Sequence, residues 1–208
     1  MTRFHLLAID LQKEFTEPGG FCYQPRPCVD FITETLLPYC LANGLQIAEI
    51  ISDYRQPRLT DQLSYCIPGS EGYQSIIAAG LRNGEPRVKS THSPAWVREK
   101  SEKGDAEPGL PVPDPAGLDS WFSRLLGPPD EELRIVLIGL TLDCCILSTA
   151  QELHFRGYHV RYLVEAVDTY DGSIPARDFL LRTTMASWGE PLSWRKFLKM
   201  VNGGEESS

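Results

Sequence analysis

Short apolar runs alternate along the chain with stretches in which apolar positions recur every three or four residues. That alternation predicts strands separated by helices, and therefore a mostly parallel sheet covered by helices on its faces. Phe4–Ile9 reads as a first buried strand that ends at Asp10. Val29–Ala42 reads as a helix, with Asp30 a possible cap, Asn43-Gly44 its stop, and Pro38 its kink or its start. Leu45–Ser52 is a second strand, Ser70–Gly80 a short helix, and Pro86–Ser90 a weaker strand. Leu118–Leu126 is helical, with apolar side chains at 118, 121, 122, 125 and 126. Arg134–Gly139 is the clearest buried strand, followed by a helix over Cys145–Arg156 that Gly157 stops. Tyr158–Glu165 is the next strand, Pro175–Ser187 a helix and Pro191–Ser193 a short last strand.

One stretch interrupts this rhythm. Arg98–Gly117 holds charge, glycine and four prolines, and is expected to be a surface insertion or a lid rather than a core element. Residues 1–200 are expected to form a single domain, and residues 201–208 a disordered tail.

Composition narrows the function. With 42% hydrophobic and 23% charged residues among 208, the chain has the balance of a soluble globular protein. A net charge of −8 argues against nucleic acid or an anionic membrane as the main partner. No apolar run approaches a membrane span, and the N-terminus lacks the pattern of a secretory signal, so the expected location is cytoplasmic. Of the six cysteines, Cys22, Cys28, Cys40 and Cys66 read as small buried hydrophobes. The four histidines, at 5, 92, 154 and 159, are too scattered for a zinc site.

In a parallel sheet, ligands bind beyond the carboxyl ends of the strands. The residues there are Asp10, Asp53, Lys89 and the segment Leu140–Cys145. A thiol in a helix's first turn meets free N–H groups and the positive end of the helix dipole, and both favour thiolate. Cys145 occupies that position, with Asp143 as the expected N-cap. On this reading Cys145 is the cysteine that iodoacetamide should label first. A carboxylate can take the thiol proton and return it to a leaving amine, which is a role open to Asp10. Lys89 would supply positive charge between the two.

The local strings resemble those of the isochorismatase-like cysteine hydrolases, which include nicotinamidases and N-carbamoylsarcosine amidases. Asp10-Leu-Gln12-Lys-Glu-Phe15 is similar to the family's D-x-Q-x-x-F, and Lys89-Ser-Thr-His-Ser93-Pro-Ala-Trp96 to its K-x-x-x-S-x-F with one extra residue. Gly139-Leu-Thr-Leu-Asp143-Cys-Cys145-Ile-Leu-Ser-Thr149-Ala150 resembles G-x-x-T-D-x-C-V-x-x-T-A, in a register that makes Cys145 the nucleophile. The resemblance implies a three-layer α/β/α, Rossmann-like fold with a six-stranded sheet, and a catalytic trio of Asp10, Lys89 and Cys145. It implies a cis peptide at Leu140–Thr141, with the N–H groups of Thr141 and Cys145 facing an oxyanion. It also implies a homodimer or homotetramer.

Departures from the pattern shape the expected substrate. Leu142 stands where the family has Thr. Arg55 replaces the metal-binding histidine that nicotinamidases carry after the conserved Asp, and no histidine lies between positions 6 and 91. Neither metal nor cofactor is therefore expected, and nicotinamide is an unexpected substrate. Arg55 is a candidate clamp for a substrate carboxylate, or else a partner of Asp53. Phe15, Trp96 and Tyr170 are candidate pocket residues. The expected activity is metal-independent hydrolysis of an amide, imide or ureide C–N bond through a Cys145 thioester. The alternatives are a catalytically silent binding or regulatory subunit, and a vinyl-ether hydrolase, which the cysteine disfavours.

Overall fold

The structure, a computed structural model, describes residues 3–59, 63–99 and 108–203. Eight strands run in chain order as β1 (Arg3–Ile9), β2 (Ile47–Ser52), β3 (Arg87–Lys89), β4 (Trp96–Arg98), β5 (Pro111–Pro113), β6 (Leu133–Leu140), β7 (His159–Asp168) and β8 (Glu190–Leu192). Six of them form one parallel sheet in the order β3-β2-β1-β6-β7-β8. The helices are α1 (Lys13–Thr16), α2 (Pro27–Phe31), α3 (Leu37–Ala42), α4 (Pro115–Leu126), α5 (Cys145–His154), α6 (Ile174–Arg182) and α7 (Trp194–Val201). No helix of the described residues is long and apolar enough to cross a membrane.

Alternation along the strands builds the three layers, because successive side chains leave a strand on opposite faces. Leu7, Ile9, Ile50, Ile135 and Leu137 pack on one face against Leu118, Trp121 and Phe122 of α4, Ile146 and Ala150 of α5, and Leu181 of α6. Leu6, Ala8, Ile47, Val136 and Ile138 face the other way, onto Ile32, Leu36 and Cys40 and onto Phe197 and Met200 of α7. Gly139 of β6 lies in register with Ile9 of β1. Its φ is +109°, and a Cβ there would sit 2.1 Å from the Ile9 carbonyl oxygen.

Several local expectations are corrected. The helix placed over Val29–Ala42 begins at Pro27 and changes pitch midway, with a π-helical turn at Ile32–Leu36 between α2 and α3. Pro38 sits in the first turn of α3; it has no N–H for the Glu34 carbonyl and its ring crowds that oxygen, so the preceding turn widens. Asp30 lies inside α2 and caps nothing there. Ser70–Gly80 is not a helix. Its backbone bridges to the segment after β1, with Gln12 opposite Ser75 and the Ile76 N–H bonded to the Leu11 carbonyl at 2.9 Å, leaving only a 3-10 turn at Ala79–Leu81. The insertion Arg98–Gly117 contributes more structure than expected. Pro111–Pro113 pairs antiparallel with Trp96–Arg98, and Asp114 caps α4 by accepting the Gly117 N–H. Its residues 100–107 lie outside the described ones, as do 204–208 of the expected tail; α7 runs on to Val201.

Candidate active site

The strand order reverses direction between β1 and β6, the switch point at which α/β sheets open a crevice. Asp10 follows β1, in the left-handed region at φ +53°, and is 2% exposed. Two strands away, Lys89 ends β3 in register with Ser52 of β2 and is fully buried. The carboxylate and the ammonium reach each other across the end of β2: Lys89 Nζ lies 2.9 Å from Asp10 Oδ2. Ser52 bridges them, donating its hydroxyl to Asp10 Oδ1 at 2.8 Å and accepting from Lys89 Nζ at 2.6 Å. Gln12, the third residue of the D-x-Q string, holds Ser52 in place through its side-chain amide, which accepts from the Ser52 N–H at 2.7 Å and donates to its carbonyl at 3.0 Å.

Lys89 also points at the nucleophile loop. Its Nζ is 3.4 Å from Cys145 Sγ and 2.6 Å from the Tyr54 hydroxyl. Tyr54 in turn lies 3.4 Å from Cys145 Sγ and donates to the Thr91 carbonyl at 3.2 Å. Burial by itself would lower the Lys89 pKa, but Asp10 and Cys145 outweigh it and hold the ammonium above its ordinary value. Burial raises the Tyr54 phenol far above the usual range, so the hydroxyl stays neutral. Sequence reasoning brought Asp10, Lys89 and Cys145 to one crevice, and the structure joins them by these contacts.

The loop before α5 holds the Leu140–Thr141 peptide in the cis form. The Thr141 carbonyl accepts from the N–H groups of both Cys144 and Ile146, at 3.1 and 3.0 Å. Among the described residues, the N–H groups of Thr141 and Cys145 have no such acceptor and are free to meet a ligand oxygen. Asp143 is not the helix cap. Cys144 holds that position without a side-chain bond, and the Asp143 carboxylate instead accepts the Tyr170 N–H at 3.5 Å.

The adjacent thiols differ sharply. Cys145 is 6% exposed while Cys144 is half-buried, with its Sγ 3.4 Å from His92 Nδ1. The adjoining Cys145 thiol and the nearby His92 draw the Cys144 thiol down to about 5, against burial. The Cys144 thiol, together with burial, pushes the Cys145 thiol up, against the pull of Lys89. The imidazole therefore stands beside the more exposed thiol, Cys144, and the ammonium of Lys89 beside the buried one, Cys145.

A cavity of about 230 Å³ opens over these groups, walled by Phe15, Tyr54, Tyr65, His92, Cys144 and Tyr170, with Asp10, Leu140, Thr141 and Cys145 at its base. Phe15 and Tyr170 stand where the sequence suggested. Arg26 ties these two walls together, its buried guanidinium donating to the carbonyls of Phe15 at 3.0 Å and Tyr170 at 2.7 Å. Trp96 lies outside the cavity and packs against the core beside α4. Arg55 also lies outside that cavity and grips Asp53 through Nε at 2.9 Å and a terminal nitrogen at 2.7 Å. Tyr54, Tyr65, His92, Ser52 and Arg26 were not singled out in the sequence as members of the site. Tyr54 and Ser52 could have been found from their place at the end of β2.

Among the described residues, no group of three or more His, Cys, Asp or Glu side chains is arranged to hold a metal ion. No family model matches the chain, and no curated protein matches it by sequence. Similarity emerges in three dimensions. An isochorismatase-like hydrolase from Alkaliphilus metalliredigens superposes with a TM-score of 0.64 at 16% identity, over 95% of this chain and 96% of that one. A nicotinamidase/pyrazinamidase from Bacillus subtilis gives 0.62 at 17% identity, over 91% and 98%. An N-carbamoylsarcosine amidase from Thermoplasma acidophilum gives 0.58 at 14% identity, over 92% and 96%.

Proposed function

Starting from the isochorismatase-like hydrolase fold that the chain has, we propose that it hydrolyses a C–N bond of a small amide, imide or ureide through a Cys145 thioester. The observation that carries this reading is Lys89, whose fully buried ammonium touches both the Asp10 carboxylate and the Cys145 sulfur, two groups that line the cavity. A cation in that position stabilises the thiolate at the moment it forms and keeps a carboxylate charged beside it.

Asp10 takes the Cys145 proton as the sulfur attacks the substrate carbonyl carbon. The oxygen, now negative, is met by the N–H groups of Thr141 and Cys145. As the C–N bond breaks, Asp10 returns the proton to the leaving nitrogen, so ammonia or an amine departs neutral. Asp10 then deprotonates a water that cleaves the thioester, releasing the acid and restoring the thiol. Tyr54, hydrogen-bonded to Lys89, holds the ammonium against the sulfur. Among the described residues the cavity walls carry aromatic rings and no Lys or Arg side chain, which suits a small uncharged substrate.

The test is release of ammonia or amine from a panel of small amides, imides and ureides by the wild type and by Cys145→Ala. The expected result is turnover of at least one compound that the variant lacks, with an acyl adduct on Cys145 seen by mass spectrometry. Equal turnover by both proteins rejects the reading.

A further inference from the structure

The hydrolytic scheme uses Cys145 and leaves Cys144 without a task. Cys144 is nonetheless placed as a reactive group: half-buried, on the wall of the same cavity, with an imidazole 3.4 Å from its sulfur and directly preceding the second thiol in the chain. Two neighbouring thiols at one cavity, one open to small molecules and one behind it, form a pair of attacking and resolving groups.

We propose that Cys144 and Cys145 are a peroxide-modified site, at which a small hydroperoxide oxidises the pair to a reversible vicinal disulfide. The Cys144 sulfur attacks one oxygen of the hydroperoxide; an S–O bond forms, the O–O bond breaks, and the departing hydroxide or alkoxide takes up a proton. Cys144 is then a sulfenic acid. The Cys145 sulfur attacks the Cys144 sulfur, an S–S bond forms, the S–O bond breaks, and hydroxide leaves with the Cys145 proton as water. In sum two thiols and one hydrogen peroxide give one disulfide and two waters, with the thiols oxidised and the peroxide reduced.

Three features favour this route. The His92 imidazole, 3.4 Å from the Cys144 sulfur, favours its thiolate, the form that attacks peroxide. Cys145 is buried at 6% exposure, so an oxidant in the cavity meets Cys144 first. The product is easily undone. Consecutive Cα atoms lie about 3.8 Å apart, below the spacing of an unstrained disulfide, and strained disulfides are the readily reduced ones. The ring ties up Cys145, so oxidation would silence the proposed hydrolase until a dithiol restores it.

The experiment reads mass rather than activity, so it stands apart from the hydrolytic reading. The full chain is treated with one equivalent of hydrogen peroxide and digested with trypsin. Residues 135–156 form one tryptic peptide that contains both thiols and no other cysteine. That peptide should lose two hydrogens in mass and regain them with dithiothreitol. Cys144→Ser should instead gain oxygen at Cys145 without the two-hydrogen loss. Cys145→Ser, which keeps the attacking thiol, should give a dimedone adduct on Cys144, formed several-fold more slowly at pH 6 when His92 is also replaced by Ala. A peptide that gains oxygen in the wild type without losing two hydrogens, a disulfide to Cys22 or Cys66, or no dimedone adduct in Cys145→Ser overturns the proposal.

Discussion

Replacing Lys89 by Met tests the electrostatic design of the site most directly. The substitution keeps a long unbranched side chain at a fully buried position and removes only the ammonium. Three short contacts vanish with it, at 2.9 Å to Asp10, 2.6 Å to Ser52 and 2.6 Å to Tyr54. What remains is a carboxylate 2% exposed with Ser52 as its side-chain donor. Breaking a buried pair by removing one partner costs about 3–5 kcal/mol. In a protein of this size about 1 kcal/mol moves the melting temperature by roughly 2–4 °C, so the expected fall is about 6–20 °C. Asp10→Asn in the same background removes the stranded charge while keeping a hydrogen-bonding amide for Ser52. The double variant should therefore be more stable than the sum of the single losses predicts, by about 2–3 kcal/mol. Urea denaturation of the four proteins measures this cycle. The alkaline limb provides a second check. The Lys89 pKa is raised in the fold, so its contribution is complete below 10.5, its ordinary value, and is lost as the pH climbs through the folded value. The wild type should therefore lose more stability above that pH than Lys89→Met does, since the raised Tyr54 and Cys145 groups weigh on both proteins alike. A melting temperature for Lys89→Met within about 2 °C of wild type, or additive losses in the cycle, refutes the reasoning.

Two further outcomes follow from the same geometry. Iodoacetamide should alkylate Cys144 before Cys145, with a rate whose midpoint lies near pH 5, and His92→Ala should move that midpoint upward; peptide masses across a pH series read both, and prior labelling of Cys145 contradicts the assignment. The groups that set this midpoint are Cys145 and His92, which lower it, and Asp143, which opposes them. Gly139→Ala drives a methyl against the Ile9 carbonyl, at 2.1 Å in an unrelaxed backbone, and forces a positive φ on alanine. The loss should be about 3 kcal/mol or more, read by urea denaturation, and a variant as stable as wild type would show that β1 and β6 can separate there.

The core of the fold was legible because each central strand is a run of apolar residues long enough to be buried on both faces. β1, β2, β6 and β7 each contain most of the stretch read from the sequence. The misplacements occur where local pattern and tertiary contact disagree. Ser70–Gly80 carries helix-like residues, yet its backbone hydrogen-bonds with Gln12 and Leu11 instead of with itself. Pro111-Val-Pro113 looked like loop and pairs as an outer strand, where proline's missing N–H leaves no gap inside a sheet. α7 follows β8 behind a Ser193 cap that accepts the Lys196 N–H; it went unread although Trp194, Phe197, Leu198 and Val201 recur at helical spacing.

For the site, the sequence by itself determined which groups stand at the strand ends: Asp10, Lys89 and the Cys144-Cys145 pair. That much follows from connectivity, since a side chain just past a parallel strand must face the crevice at its carboxyl edge. Only the tertiary structure decided what each group feels. Ser52 bridges Asp10 and Lys89, Tyr54 reaches both Lys89 and Cys145, and Arg55 turns to Asp53 rather than to the cavity. It also decided what surrounds each of the two adjacent thiols. Neighbours in sequence have nearly the same composition around them, but burial and an imidazole from another loop set their proton affinities apart, and those belong to the folded chain alone.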